Sequence, residues 1–228
     1  KFFQNHGLFK LKNRPQWYTV AKRSRTYVAK VLSSISGEYY KNYNVNRLIR
    51  RSNGIDLYYG DKSEFFSYDK VVLASHADQA LSIIDEPTKE EQEILSKFKY
   101  RENIAVIHTD ESIMPNNKDI WSSWNSSVDK NNVEKNSITY WLNLLQNLDF
   151  NKNIFLTLNP NFKINEDKIL KKVNFTHPYF DQSALDNQDK LKNLQNKKNL
   201  LFCGSYFGYG FHEDGIKSSI EMIKAIDD

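Results

Sequence analysis

The sequence lacks the residues that mark several common classes of protein. It has one cysteine, Cys203, in 228 residues, so it has no disulfide framework, which suits a reducing cytoplasm. No apolar run approaches the length of a membrane span. We therefore expect a cytoplasmic protein without a transmembrane segment, while peripheral contact with a membrane stays open.

Strong charge is absent as well. The 32 basic and 28 acidic residues leave a net charge of +4, and they are spread along the chain. This predicts a solvated surface and no nucleic-acid partner. Nucleophile elbows, phosphate-binding Gly-Lys-Ser/Thr loops and paired-cysteine metal motifs are also missing. Aromatic residues reach 14%, which suits a core or an apolar substrate channel.

Hydrophobic patterns predict an α/β chain with an α+β middle. Helices are expected at 19–35, at 181–195 with Asp181 as the cap, and after Pro87, where Thr88 and Glu91 form a capping box. The expected strands are 44–50, 54–59, 71–74, 104–108 and 154–158, with 121–125 and 138–141 joining the last two in a second sheet. Residues 125–136 are polar and unpatterned, which predicts a loop.

The C-terminal region has the clearest pattern. An apolar run, Leu200-Leu201-Phe202-Cys203, stops at Gly204, and a glycine-spaced loop follows. Ile216, Ile220, Ile223 and Ile226 then mark a helical stripe. A strand, a turn and a helix N-terminus form a unit that brings backbone N–H groups to an anionic cofactor.

This region, Phe202-Cys203-Gly204 followed by Gly208 to Gly215 (GYGFHEDG), resembles the flavin-containing amine oxidase and phytoene desaturase-like superfamily, in its bacterial FAD-binding branch. Other blocks of that branch follow in order: Arg14 to Trp17, Val71 to Ala80, His108 to Asp110, Trp121 to Asn125, Thr139 to Asn143, Thr157 to Pro160, and His177-Pro178. No three of the eight glycines form the family's opening Gly-x-Gly-x-x-Gly motif. We therefore expect the C-terminal portion of a longer flavoprotein, inactive by itself.

The resemblance implies two domains. Residues 1–80 and 196–228 would form an incomplete Rossmann-like FAD-binding domain, and 81–195 an inserted substrate-binding domain of mixed or antiparallel sheet plus helices. The strand at 200–204 would pack beside the absent first strand, so we expect one of its edges to be unpaired.

FAD is the implied cofactor, and the resemblance assigns its contacts. A helix N-terminus would stabilise the negative edge of reduced flavin, and glycines would let the backbone approach the ring. An ordinary turn would explain one glycine but not four. Lys22-Arg23 stands where the family often has paired glycines. The implied contacts are Val45 at the adenine, Gly204 and Ser205 by the ribityl-phosphate, and Gly208, Tyr209, Gly210, Phe211, His212, Glu213, Asp214 and Gly215 at the isoalloxazine.

The implied activity is FAD-dependent oxidation, with hydride transfer from an apolar (acyl or isoprenoid-like) or amine substrate to flavin N5 and reoxidation by oxygen or another acceptor. Asn103 stands where amine-oxidising relatives have a lysine, which favours a desaturase-like reaction. No catalytic residue is identified. The residues expected to line the substrate side are Trp121, Trp124, Asn125, Tyr140, Trp141 and Asn143.

Two other functions stay open. One is a non-catalytic scaffold with a degenerate flavin fold. The other is an iron oxygenase that would use His108, Asp110 and His177. Strand-end His and Asp more often cap turns, so we expect no metal site.

Overall fold

The computed structural model describes residues 12, 16, 18–60, 64–129 and 132–227, and the chain forms two compact units, Lys1–Lys41 and Asn42–Asp228. In the first unit, helix α1 (Ser24–Ser34) lies within the predicted range, and none of its residues is buried. Lys22 and Arg23, just before it, have φ values of 61° and 68°. The backbone therefore has the left-handed conformation that favours glycine, although neither residue is glycine. Of the Arg14 to Trp17 block, only Gln16 is among the described residues.

The second unit begins with an antiparallel sheet of β1 (Val45–Arg51), β2 (Gly54–Tyr59) and β3 (Phe65–Tyr68). The predicted strands and the turn between them are confirmed. After β4 (Val71–Leu73) come helices α2 (Ala77–Ile83) and α3 (Lys89–Leu95).

The predicted capping box of α3 is also confirmed. Glu91 N–H donates to Thr88 Oγ1 at 3.2 Å, and Thr88 N–H donates to Glu91 Oε2 at 2.7 Å. Ile94, Leu95 and Phe98 are buried as expected.

A five-stranded antiparallel sheet has the order β6-β7-β8-β5-β9. Its strands are β5 (Lys99–His108), β6 (Trp124–Asp129), β7 (Asn132–Trp141), β8 (Phe155–Leu158) and β9 (Ile169–Tyr179), and the short helix α4 (Leu142–Leu145) follows β7. The loop predicted at 125–136 is wrong: most of it pairs as the β6–β7 hairpin. Its polarity misled the prediction because alternate positions of these strands face solvent.

The two faces of this sheet differ. The covered face has the buried side chains of Val106, His108, Thr139, Phe155 and Thr157. The other face, here called the open face, comprises odd-numbered residues 101–107 of β5 and 171–177 of β9, and even-numbered residues 124–128, 136–140 and 156–158 of β6, β7 and β8. The pairing register places these residues side by side.

The helix predicted at 181–195 is divided into α5 (Gln182–Asn187) and a 3₁₀ segment, Gln188–Leu194. Asp181 caps α5 as predicted, accepting the Ala184 N–H at 2.9 Å. The chain then forms β10 (Leu200–Phe202) and α6 (His212–Asp227). None of the helices in the described ranges is both long and apolar enough to cross a membrane.

β10 pairs in parallel with β4, with Leu200, Leu201 and Phe202 opposite Val71, Val72 and Leu73. The expectation of an unpaired edge at residues 200–204 is wrong. The Phe202 N–H donates to Gln195 Oε1 at 3.0 Å, and Gln195 Nε2 donates to the Phe202 carbonyl at 2.8 Å. Ser218 Oγ accepts the Gly204 N–H at 2.9 Å. Side chains thus supply hydrogen-bond partners to the backbone at the edge of β10 where a neighbouring strand was expected.

The isoleucine stripe of α6 does not face the core. Ile216, Ile220 and Ile223 are 58%, 53% and 54% exposed, while Met222 and Ser218 are buried. Met222 packs with Leu201 and Cys203 of the β10 region. The apolar periodicity predicted the helix correctly but not the side that packs on the sheet.

Replacing Gln195 by Leu should destabilise the protein by about 2 kcal/mol or more, because it leaves the buried N–H and carbonyl of Phe202 without partners. Gln182→Leu is the matched control, since that amide bonds only to Asp186 at the surface, and it should cost less than about 0.5 kcal/mol. Urea unfolding measures both. Equal losses of stability in the two variants would show that the hydrogen bonds from Gln195 to Phe202 do not stabilise β10.

Candidate functional site

The carboxyl ends of β4 and β10 lie side by side because the strands are parallel and in register, with Leu73 opposite Phe202. Beyond them, the Ser75 carbonyl oxygen lies 3.5 Å from the point where a Cβ on Gly204 would be. Open α/β sheets bind ligands at the carboxyl ends of their strands. This edge is therefore the first candidate for a ligand site.

The loop after β10 is fixed by Asp214. Asp214 Oδ2 accepts the N–H groups of Tyr209 and Phe211, each at 3.0 Å. A Cβ on Gly208 would lie 2.4 Å from the Asp214 carboxyl group, so only glycine leaves room for this contact. Gln188 supports the loop from behind, where its Nε2 donates to the carbonyls of Tyr206 and Gly208.

The N-terminus of α6 lies at the end of this loop. The N–H groups of its first turn have no acceptor within the helix, and they carry partial positive charge. A Cβ on Gly215 would meet only the Ser205 nitrogen, at 3.8 Å. Space therefore remains beside Gly215, next to the backbone nitrogen of Ser205.

The five-stranded sheet contacts this edge through β9. Gly210, with φ of 92°, would place a Cβ 3.4 Å from Pro178. The His76 ring, beyond β4, stacks on Tyr100 with centroids 4.1 Å apart and lies 3.4 Å from Thr176 Oγ1. These contacts join the strand ends to the covered face of the sheet.

Two buried tyrosines lie behind the site. Burial raises the pKa of Tyr100 to about 12, and its hydroxyl accepts the Ala77 N–H at 2.9 Å. Burial also raises the pKa of Tyr206, whose hydroxyl has no partner among the described residues. Both phenols are neutral at pH 7, so neither serves as a base there.

Val45, the predicted adenine contact, lies at the start of β1. It borders a cavity of about 610 Å³ that also touches Leu57, Val71, Leu73 and Ser75. Within the described ranges, β4 pairs only with β10, and Val72 is 41% exposed. The cavity therefore lies against the free edge of β4.

The six predicted substrate residues do not form one group. Trp121 packs edge-on against Trp141 at 5.4 Å in a small core with Phe155. Trp124 and Tyr140 contact each other at 5.8 Å on the open face.

The two predicted amides hold the backbone. Asn125 donates to the carbonyl of Ser122, and Asn143 donates to that of Lys152 and accepts the Ile154 N–H. All six residues stay predictions as substrate contacts. Trp124, at 53%, is the exposed member of the six.

The residues of the alternative iron site are apart. In the β5–β9 pairing, His108 lies opposite Ile169, whereas His177 lies opposite Arg101, seven residues earlier along β5. His108 Nε2 bonds to Thr157 Oγ1 at 2.8 Å, and its Nδ1 accepts the Asp110 N–H at 3.2 Å. Both ring nitrogens are occupied by protein contacts.

Asp110 is bound to the backbone and to one lysine. Burial raises its pKa, but hydrogen bonds from the Asn165 N–H, Ser112 and Lys168 outweigh this, and the net pKa is lowered. Across the described residues, no three His, Cys, Asp or Glu side chains form a group that could hold a metal.

Comparison with solved structures shows what the fold is similar to. A candidate protoporphyrinogen oxidase from Exiguobacterium sp. 255-15 matches at a TM-score of 0.67 and 8% identity, over 99% of this chain and 57% of that one. A conjugated-linoleic-acid-producing fatty acid isomerase from P. acnes matches at 0.61 and 14%, over 88% and 51%. Putrescine oxidase bound to putrescine matches at 0.57 and 9%, over 90% and 52%.

These matches confirm the predicted α/β fold. The chain spans about half the length of the structures it matches. No protein-family model matches the sequence, and no curated protein matches it either.

His108 should make stability depend on pH. Burial lowers its pKa from 6.5, so the unfolded chain binds a proton before the native one does. Stability is therefore retained above about pH 6.5 and falls below it, by at most about 1.4 kcal/mol per pH unit. His108→Gln should reduce the fall measured by urea unfolding between pH 7.5 and 5.5. The exposed His212→Gln is the control and should keep the wild-type slope, and an unchanged slope in His108→Gln would contradict this assignment.

Proposed function

We propose that the chain is the cofactor-contacting and substrate-facing part of an FAD-dependent oxidoreductase that acts on an apolar or amine substrate. One observation carries the proposal. The carboxyl ends of β4 and β10, the loop fixed by Asp214 and the N-terminus of α6 meet at a single edge, beside β9.

The donors at this edge suit the anionic groups of FAD. The first-turn N–H groups of α6 and the space beside Gly215 favour a negatively charged, planar ligand. Gly204 and Ser205 would lie by the phosphates, residues 208–215 by the flavin ring, and Val45 by the adenine. FAD, when bound, accepts a hydride at N5. The residues of this chain would position the ligand and exclude water.

The names of the structural matches agree with either type of substrate. One match is a fatty acid isomerase and another is an oxidase of putrescine, an amine. At 14% identity or less, these names supply hypotheses and not an activity. An electron acceptor, oxygen or another, completes the proposed reaction.

A non-catalytic scaffold is the second candidate, and Asp214 is the observation that favours it. Its carboxylate already takes two N–H groups of the loop and adds negative charge near the helix N-terminus. A bound, reducible flavin separates the two functions.

Gly215→Ala should weaken FAD binding by about tenfold, because the methyl group fills the space beside Ser205. Stability should be unchanged or raised by up to about 1 kcal/mol, since alanine is the better helix residue. Gly37→Ala is the control for an added methyl group away from the site, because a Cβ there meets nothing within 4 Å. Flavin fluorescence during titration measures affinity, and urea unfolding measures stability. If Gly215→Ala leaves the FAD affinity unchanged, FAD does not bind beside Gly215. If the wild-type chain binds no FAD, the scaffold function is favoured.

A further inference from the structure

The open face of the five-stranded sheet is unusually apolar. Antiparallel sheets with one covered face usually have polar residues on the other. Here the alternation places Trp124, Val128, Ile138 and Phe175 outward, and they are 53%, 52%, 38% and 48% exposed. The half-buried Leu156 and Leu158 lie between them on the central strand β8. Exposed apolar side chains grouped on one face of a sheet are typical of a binding surface.

One end of this face is cationic. Arg101 and His177 lie directly opposite each other on β5 and β9. The Cζ atom of the Arg101 guanidinium lies over the Tyr179 ring, 3.6 Å from its centroid. This cation–π contact helps to hold the charged group in place. Among the described residues, no carboxylate forms an ion pair with it.

His177 is held by an amide on the same face. Asn103 Nδ2 lies 3.3 Å from His177 Nδ1, within hydrogen-bond distance. Asn103 is itself fixed by Asn159, whose Nδ2 donates to Asn103 Oδ1 at 2.7 Å. Beside Arg101 and Asn103 is a cavity of about 810 Å³, which Lys163 also borders. Fixed donors and positive charge therefore converge at this end.

The sign of the charge discriminates between ligands. The side chains described on the open face include Arg101 and Lys171 but no Asp or Glu. Glu102 borders the same cavity, but it pairs opposite Thr176, which places both on the covered face. On the open face an ammonium group would meet the like charge of Arg101, whereas a carboxylate would meet its N–H donors.

We propose that the open face binds a long-chain carboxylate, with the head group at Arg101 and His177 and the chain lying over Phe175, Leu158 and Ile138. The path from His177 on β9 to Ile138 on β7 crosses three gaps of about 4.8 Å and runs four residues along the strands, which gives roughly 20 Å, comparable with an extended long fatty acid. This site is distinct from the proposed flavin site, because that site adjoins the covered face of the sheet and the carboxylate would lie on the open face.

The test uses three ligands of equal chain length, dodecanoate, dodecanol and dodecylammonium, below their micelle concentrations. Each displaces the fluorescent fatty acid cis-parinarate from the 228-residue chain. We expect dodecanoate to bind most tightly and dodecylammonium most weakly. Arg101→Gln should weaken dodecanoate about tenfold, to the level of dodecanol, and leave dodecanol unchanged.

Two further variants complete the design. Phe175→Ser should weaken dodecanoate and dodecanol alike, because it removes apolar contact and not charge. Lys192→Gln, which removes a lysine of the Gln188–Leu194 segment, should change none of the affinities. Circular dichroism confirms that each variant is folded.

The inference is overturned if dodecylammonium binds as tightly as dodecanoate, or if Arg101→Gln leaves dodecanoate unchanged. It is also overturned if vesicles of phosphatidylcholine and phosphatidylglycerol bind the chain and dodecanoate does not compete with them, since the face would then bind a membrane. FAD uptake is read separately, from flavin absorbance. Intact FAD uptake without the dodecanoate preference rejects only this inference, and the reverse result rejects only the proposed function.

Discussion

The parallel pairing of β4 with β10 is the constraint on which the candidate site depends. Alternate side chains of both strands are buried in the main core, so a slip of one residue would expose them. Because the register is fixed, Ser75 and Gly204 always meet at the same edge. The loop fixed by Asp214 and then α6 come after Gly204 along the chain. Gln188 donates a hydrogen bond to the Tyr206 carbonyl, and Ser218 accepts one from the Gly204 N–H.

The five-stranded sheet has a comparable constraint on its covered face. Thr139, Thr157 and His108 lie on neighbouring strands and form a row of buried hydrogen bonds, each 2.8 Å long. A slip of one residue would turn this row outward and bury Trp124 and Leu158 in its place. The same row therefore explains why the apolar side chains are on the open face.

Local patterns predicted most of the elements. Capping at Thr88 and Asp181, the turn before Gly54 and the strand-loop-helix unit at the C-terminus are each determined by near neighbours in sequence, and all were predicted. Errors arose where distant contacts decide. Gln195 bonds to the backbone of Phe202, and Gln188 bonds to the carbonyls of Tyr206 and Gly208. No pattern in the sequence indicates these side-chain contacts. The β6–β7 hairpin was missed because the solvent-facing positions of these strands are polar, as they would be in a loop.

The site residues divide in the same way. The glycine loop was found because its spacing is local, and the structure gives Gly208 a specific reason, the Asp214 carboxyl group. The aromatic residues at 121–141 were grouped by type, but Trp121 packs with Trp141 and Phe155, whereas strand pairing places Trp124 and Tyr140 on the open face. The closure of one side of β10 by Gln195 and Ser218 has a separate consequence for assembly. Within the described part of the chain, a further strand has free backbone groups to join at β4 and not at β10. Any extension of this small sheet would thus be directional, placing β4 in the middle, burying Val72 and enclosing the cavity beside Val45.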